Sequence, residues 1–188
     1  MNKWKIEIEI QNIPLLFHSL QKLVSVCDEV IVVGGCNFEK LIELIKKNTI
    51  VETELIKVIY NQQYELGMFS SIKTGAENAK YENVFIALAD MPFVSVETYN
   101  LLKTKFEAEP QYDFIQPAIL VEEGRRKKGH PILANEKVKY AIQKEHDSSN
   151  LRDVLKNFSG TSFLSEDLGI GFDIDTETDL LNAEKLFY

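Results

Sequence analysis

The chain has 188 residues, 45% of them hydrophobic and 27% charged, the composition of one folded domain whose core needs no disulfide or metal staple. Its 21 Lys+Arg against 29 Asp+Glu leave a net charge of −8, which argues against a nucleic-acid groove or an anionic membrane surface as the main partner. Cys27 and Cys36 form neither a C-x-x-C pair nor a disulfide framework, no apolar run approaches a membrane span of ~20 residues, and the first seven residues lack a signal-peptide core, so a reduced, cytoplasmic single domain over 1–188 is expected.

Short apolar runs alternate with amphipathic ones from the start. Leu16, Leu20, Leu23, Val24 and Cys27 fall at helical spacing behind Pro14, predicting a helix over 13–27. Glu29-Val30-Ile31-Val32-Val33 reads as a buried strand stopped by Gly34-Gly35, followed by a helix over 38–47 and a strand over 56–60. A helix over 67–80, a strand over 84–89 and a helix over 95–107 come next. Apolar strands that run without alternation are buried on both faces, as in a parallel sheet covered by helices. After residue 113 the pattern changes to a longer strand (113–121), a turn at Glu122-Glu123-Gly124 and a return through Gly129-His130-Pro131, a small antiparallel addition. Helices over 136–144 and 148–157, a strand near 170–174 and a last helix from Thr176, with Thr176 and Asp179 as a capping box, complete an α/β domain.

Ligands in open α/β sheets bind beyond the carboxyl ends of the strands. Asp90 stands there, in Ala87-Leu88-Ala89-Asp90-Met91-Pro92-Phe93, where its carboxylate can ligate Mg²⁺ or cap the helix near Ser95. In Asp173-Ile174-Asp175-Thr176 only one carboxylate can turn into the same crevice; Asp175 or Thr176 can equally cap the last helix. Gly67, Ser71 and Gly75 make a stripe without bulk on one helix face, suited to a nucleotide base or to tight packing on the sheet. Arg125-Arg126-Lys127-Lys128 can meet phosphate on a second substrate or be a solvated loop tip. His18 and His146 read as structural, and there is neither a Ser/His/Asp triad nor a zinc signature.

In order, Gly67-Met68-x-Ser70-Ser71-x3-Gly75, Leu88-Ala89-Asp90-Met91-Pro92, Gly129-His130-Pro131 and Asp173-Ile174-Asp175-Thr176 resemble the molybdenum-cofactor nucleotidyltransferases, especially the cytidylyltransferase branch. The resemblance implies a Rossmann-like three-layer nucleotidyltransferase fold, with a mostly parallel sheet and a small antiparallel addition. It implies Mg²⁺ held by Asp90 and Asp175, with Asp173 the weaker choice, and the nucleotide against Asn61, Gly67, Ser70, Ser71 and Gly75. Gly129, His130, Pro131 and Asp147 would face a phosphorylated pterin. Family members open with a strand and a loop of the form Leu-Ala-Ala-Gly-x-Ser-x-Arg-Met-Gly-x-x-Lys. Met1-Asn2-Lys3-Trp4-Lys5 matches only the end of it, with Asn2 at a usual glycine and Lys5 at the catalytic, phosphate-contacting lysine. The implied reaction is transfer of a nucleotidyl group, cytidylyl from CTP in the branch it most resembles, to the pterin with release of pyrophosphate. It would involve no nucleic acid or membrane, and a molybdoenzyme or chaperone could be a partner. The alternatives are a nucleotide- or partner-binding module of the same fold without catalysis, and a guanylyl or sugar-phosphate transferase.

Overall fold

The structure is a computed structural model that describes residues 4–48, 53–121 and 124–187; the expected turn residues Glu122 and Glu123 and the opening Met1-Asn2-Lys3 lie outside the described residues. A one-turn 3₁₀ segment, Lys5–Glu7, leads into a hairpin of β1 (Glu9–Ile10) and β2 (Ile13–Pro14), whose tight turn puts Gln11 and Asn12 at positive φ. Then follow α1 (Leu15–Val26), β3 (Val30–Gly34), α2 (Phe38–Lys47), β4 (Ile56–Tyr60), α3 (Met68–Asn78), β5 (Val84–Ile86), α4 (Val96–Ala108) and β6 (Phe114–Leu120). The second half adds β7 (Arg126–Lys128), β8 (Ile132–Ala134), α5 (Glu136–Lys144), α6 (Leu151–Leu155), β9 (Gly160–Leu164) and α7 (Glu177–Phe187). Among the described residues no helix is long and apolar enough to cross a membrane.

β3 and β4 pair in parallel, as do β6 and β9; β5 and β6 both oppose β8, and β7 opposes β6. β5, β6 and β9 therefore share one direction, and the short β7 and β8 form the expected antiparallel addition. Alternation along these strands divides the core between two helical layers. Phe114, Ile132 and Ala134 face α3, α5 and α6 with Phe69, Ala76, Val138, Ile142 and Val154, while Ile115 and Leu133 face Leu102 of α4. Leu16, Phe17 and Leu20 of α1 pack with Val30 of β3 and with Leu41 and Ile45 of α2.

Among the described residues β3 pairs only with β4, and β5 only with β8. Their remaining edges face a cleft of about 840 Å³, walled by 30–33 and 84–89 at the sides, by Leu16, Leu20 and Leu23 above and by Ser71, Gly75 and Ala79 below. The Lys80 amide donates to the Glu29 carboxylate at 3.0 Å, so the two strands start on the same side.

Several expectations are corrected. The strand expected near 170–174 is instead a 3₁₀ turn, Leu168–Gly171, followed by irregular chain, because Gly169 is pressed onto the Phe93 backbone, where an added Cβ would stand 2.3 Å from its carbonyl carbon. The strand over 84–89 pairs only as far as Ile86, and the helix over 148–157 shortens to Leu151–Leu155 behind the Asn150 cap. β9 and the first hairpin went unread. In α7 Leu180 and Ala183 pack into the core, and Leu181 is exposed.

His18 is structural, with Nε2 on the Ile10 carbonyl at 3.1 Å and its ring buried. Burial pushes it below the ordinary histidine value, against the Ile10 and Ile13 carbonyls that favour its charged form. The unfolded chain then takes up a proton below about pH 6.5 that the folded chain refuses, so stability present above that pH is lost on acidification. Tm should therefore fall between pH 7.5 and 5.5, and His18→Gln should make the fall shallower. Parallel melting profiles for the two proteins would dismiss this assignment.

Candidate functional site

Three distant segments meet at one charge. The Lys5 ammonium, in the 3₁₀ turn ahead of β1, donates to Asp90 Oδ2 at 2.9 Å and to Asp175 Oδ1 at 2.5 Å. Asp90 lies past the end of β5, and Asp175 just ahead of α7. Burial pulls the Lys5 amine down, but its hydrogen bonds and charge contacts with the two carboxylates outweigh this and leave it above the ordinary lysine value. Asp175 is held below the usual carboxylate range, first by the Lys5 hydrogen bond and then by the neighbouring Asp173 carboxyl.

The backbone around these carboxylates is held by other groups, leaving their side chains for the site. The Asp90 carbonyl accepts from the Ile174 amide at 2.9 Å, which ties together the segments bearing the two acids. Ser19 Oγ reaches the Met91 carbonyl at 3.5 Å, and Lys22 bonds the Pro92 carbonyl, so α1 grips the loop from its other side. Asp167 accepts from Ser95 N (2.8 Å), Thr98 Oγ1 (2.6 Å) and Gly169 N (2.9 Å) and clamps the start of α4 against the 167–171 turn. Thr176 and Asp179 form the expected capping box: Thr176 N donates to Asp179 Oδ2 at 2.7 Å and Asp179 N to Thr176 Oγ1 at 3.1 Å. The cap is thus Thr176, and Asp175 remains available to Lys5. Asp90 likewise does not cap α4, since Ser95 does.

Among the described residues, Asp90 Oδ1 is buried with no hydrogen-bond partner. An orphaned carboxylate oxygen carries a desolvation cost that a bound cation would relieve. Two carboxylates converging on one positive charge are hard oxygen donors of the kind Mg²⁺ takes, with water and phosphate filling its other positions. The donor set thus fits a divalent ion, and among the described residues no group of three or more His, Cys, Asp or Glu side chains forms a self-sufficient metal cage. Asp173 is exposed beside Asp175.

His130 stands near this centre. Burial lowers its affinity for a proton, and the Ile86 carbonyl, 3.1 Å from Nδ1, and the Asp90 charge act in the opposite sense. The His130–Pro131 peptide is cis, and Gly129 lies against Ile170, where a Cβ would meet its carbonyl oxygen at 2.6 Å. Asp147, expected in the same region, is bound to α3 through Lys73 at 2.6 Å. The basic run is exposed along β7, with Lys127 reaching the Gly171 carbonyl at 3.2 Å.

The expected nucleotide residues cluster separately, at the ends of β3 and β4. Asn61 N donates to the Gly34 carbonyl, and its buried amide donates to Ser70 Oγ (2.8 Å) and Ser71 Oγ (3.0 Å). Ser70 is buried too, and its hydroxyl lies 2.8 Å from the carbonyls of both Gln63 and Gly67. These two side chains are used up internally. Gly67 turns the chain into α3 at φ 105° with open space around it, and Ser71 and Gly75 face the cleft. Ser71 and Gly75 line the cleft together with 87–89, the segment that leads to Asp90.

The sequence pattern of the MobA-like NTP transferase domain matches residues 1–162. Over its whole length the chain is 23% identical to the molybdenum cofactor cytidylyltransferase of Escherichia coli (strain K12), covering 90% of that protein. The fold is similar to that of 4-diphosphocytidyl-2C-methyl-D-erythritol synthase from Anaerococcus prevotii DSM 20548, with TM-score 0.75 and 16% identity over 97% of this chain and 92% of that one. It is also similar to Rv0371c from Mycobacterium tuberculosis H37Rv, solved in complex with manganese, with TM-score 0.71 and 13% identity over 97% and 91%.

The clamp under the site can be tested through Gly169. Gly169→Ala drives a Cβ into the Phe93 backbone and should cost about 2 kcal/mol or more, a Tm drop of about 4–8 °C for a chain of this size. Gly171→Ala meets only the Ile119 Cδ1 methyl, which can rotate away, and should cost less. Equal losses in thermal melts would contradict the clamp.

Proposed function

The chain belongs to the MobA-like NTP transferase domain family, whose members are nucleotidyl-transferring enzymes, and on that premise we propose that it transfers a cytidylyl group from CTP to a phosphorylated pterin and releases pyrophosphate. The convergence of Asp90 and Asp175 on one cation position carries this reading. Both the cytidylyl group and the molybdopterin-type acceptor are suggested by the Escherichia coli relative, and a divalent ion by the manganese complex of the Mycobacterium protein. A molybdoenzyme or chaperone that takes the product is the matching partner, and a cytoplasmic setting suits both substrates.

In this reaction an acceptor phosphate oxygen attacks the α-phosphorus, the new P–O bond forms as the bond to the β-phosphate bridge breaks, and pyrophosphate departs with the bond pair. Asp90 and Asp175 would hold Mg²⁺, with Asp173 in reserve. Mg²⁺, when bound, supplies charge neutralisation for the triphosphate. Lys5 offers its ammonium to the charge that grows on the leaving oxygen. Asn61 and Ser70 shape the turn into α3, so that Gly67, Ser71 and Gly75 present backbone and small side chains to the nucleotide. Gly129, His130 and Pro131 form the acceptor side next to Asp90, with Asp147 at its margin, and positioning of the two substrates lowers the barrier.

The cleft behind Asp90 favours a second reading, in which the chain binds a nucleotide without turning it over. Pyrophosphate release from CTP with a phosphorylated pterin separates the two. Turnover is expected, with a preference for CTP over GTP in both binding and rate. Asp90→Asn should lower kcat/KM by about 10²–10³-fold while leaving the Tm and circular dichroism unchanged. Full activity in that variant would rule out the metal assignment, and CTP binding without pyrophosphate release would favour the second reading.

A further inference from the structure

We propose that Lys5 is a placeholder for the divalent cation: its ammonium fills the cation position between Asp90 and Asp175, and ion entry displaces it toward the nucleotide phosphates. This rests on the reading of Asp90 and Asp175 as the ligands of that ion.

Two carboxylates that both reach one Nζ, at 2.9 and 2.5 Å, stand close enough to repel each other unless a positive charge lies between them. In the absence of a metal that charge is Lys5. The occupancy is incomplete, however. One ammonium brings a single charge to two acids, and among the described residues Asp90 Oδ1 stays buried without a partner. A divalent ion brings twice the charge and can engage oxygens that Lys5 leaves idle. The two cations cannot share the position, because they would repel each other there.

Lys5 is also built to leave. It opens a single 3₁₀ turn whose Trp4 cap makes no side-chain hydrogen bond, and its charge rides on a flexible four-carbon stem. Once displaced, the ammonium is pushed away by the incoming ion and drawn to the nearest anion, which is the triphosphate arriving with that ion. One residue thereby keeps the acids apart before substrate binds and contacts phosphate afterwards. Ion affinity in this scheme is set by competition with Lys5. A lysine that only braced the fold, or touched only phosphate, would have no such effect on ion binding.

Titration calorimetry with Mn²⁺ alone tests this on the full chain, its Lys5→Met variant and its Asp90→Asn variant. Lys5→Met should bind Mn²⁺ about tenfold more tightly than the unaltered protein, the scale of losing two half-exposed ion pairs, and Asp90→Asn should bind weakly or not at all. A second measurement needs no variant: acetylation of Lys5 by an N-hydroxysuccinimide ester, followed by mass spectrometry, should speed up when Mn²⁺ is added and slow again when CTP follows. Mn²⁺ affinity in Lys5→Met equal to or weaker than that of the unaltered protein, with Asp90→Asn still deficient, overturns the placeholder role and leaves the metal site standing. Unchanged Lys5 labelling at saturating Mn²⁺ overturns it too, including when Lys5→Met fails to fold. Absence of Mn²⁺ binding in both the unaltered protein and Lys5→Met removes the metal site and the placeholder together.

Discussion

Two acids held against each other by one ammonium set the terms for the rest of the molecule. Lys5 is 85 residues from Asp90 and 170 from Asp175 in sequence, so their meeting is a product of tertiary structure alone. In a chain of net charge −8, concentrating two more carboxylates at one point costs free energy unless a cation is fixed there as well. The first 3₁₀ turn, the loop after β5 and the approach to α7 have to be delivered to one place and held.

The holding is done mainly through backbone atoms. Asp90, Met91 and Pro92 each have their carbonyl bonded from elsewhere, by Ile174, Ser19 and Lys22, and Gly169 closes the remaining side against Phe93. Thr176 and Asp179 satisfy the start of α7 between themselves. The result is a division of labour in which neighbours satisfy the hydrogen bonds of the loop backbone and the two functional carboxylates are left to Lys5. Asn61 and Ser70 show the reverse arrangement. Their polar atoms are consumed by the turn into α3, which leaves Ser71, Gly75 and exposed backbone as the surface a nucleotide could meet.

The elements visible in the sequence were those with strong periodicity. α2, β4 and α5 have the expected limits, and α1, α3 and α4 lie within one or two residues of theirs, because each carries an apolar face that nothing else in its window contradicts. β9 went unread because Gly160-Thr161-Ser162 dilutes its apolar signal; pairing with β6, and not composition, makes it a strand. The segment 170–174 looked like a strand because Ile170 and Ile174 are core residues, yet Gly169 beside it is there for close approach to Phe93. Of the site, Asp90 was marked by its place beyond a strand and Asp175 by the family resemblance, since before a helix it read equally as a cap. Their shared contact with Lys5 was not, since no local pattern encodes a pairing across 170 residues. Asp167 gave no signal either: an acidic residue in a polar stretch reads as solvated until its three donors are seen.

The cleft gives the ion pair a further mechanical meaning. β3 and β5 do not hydrogen-bond to each other, so the half-sheet of β3 and β4 is joined to the larger sheet through α1, α3 and side-chain contacts. Trp4 and Ile6, which flank Lys5, pack with α1, β3, β4 and α2, whereas Asp90 follows β5 on the other side. The Lys5 ion pairs therefore span the gap and count among the few polar ties between the two halves. α1 is the stiffer tie: it packs on β3 through Leu16 and Leu20 and grips the Asp90 loop through Ser19 and Lys22.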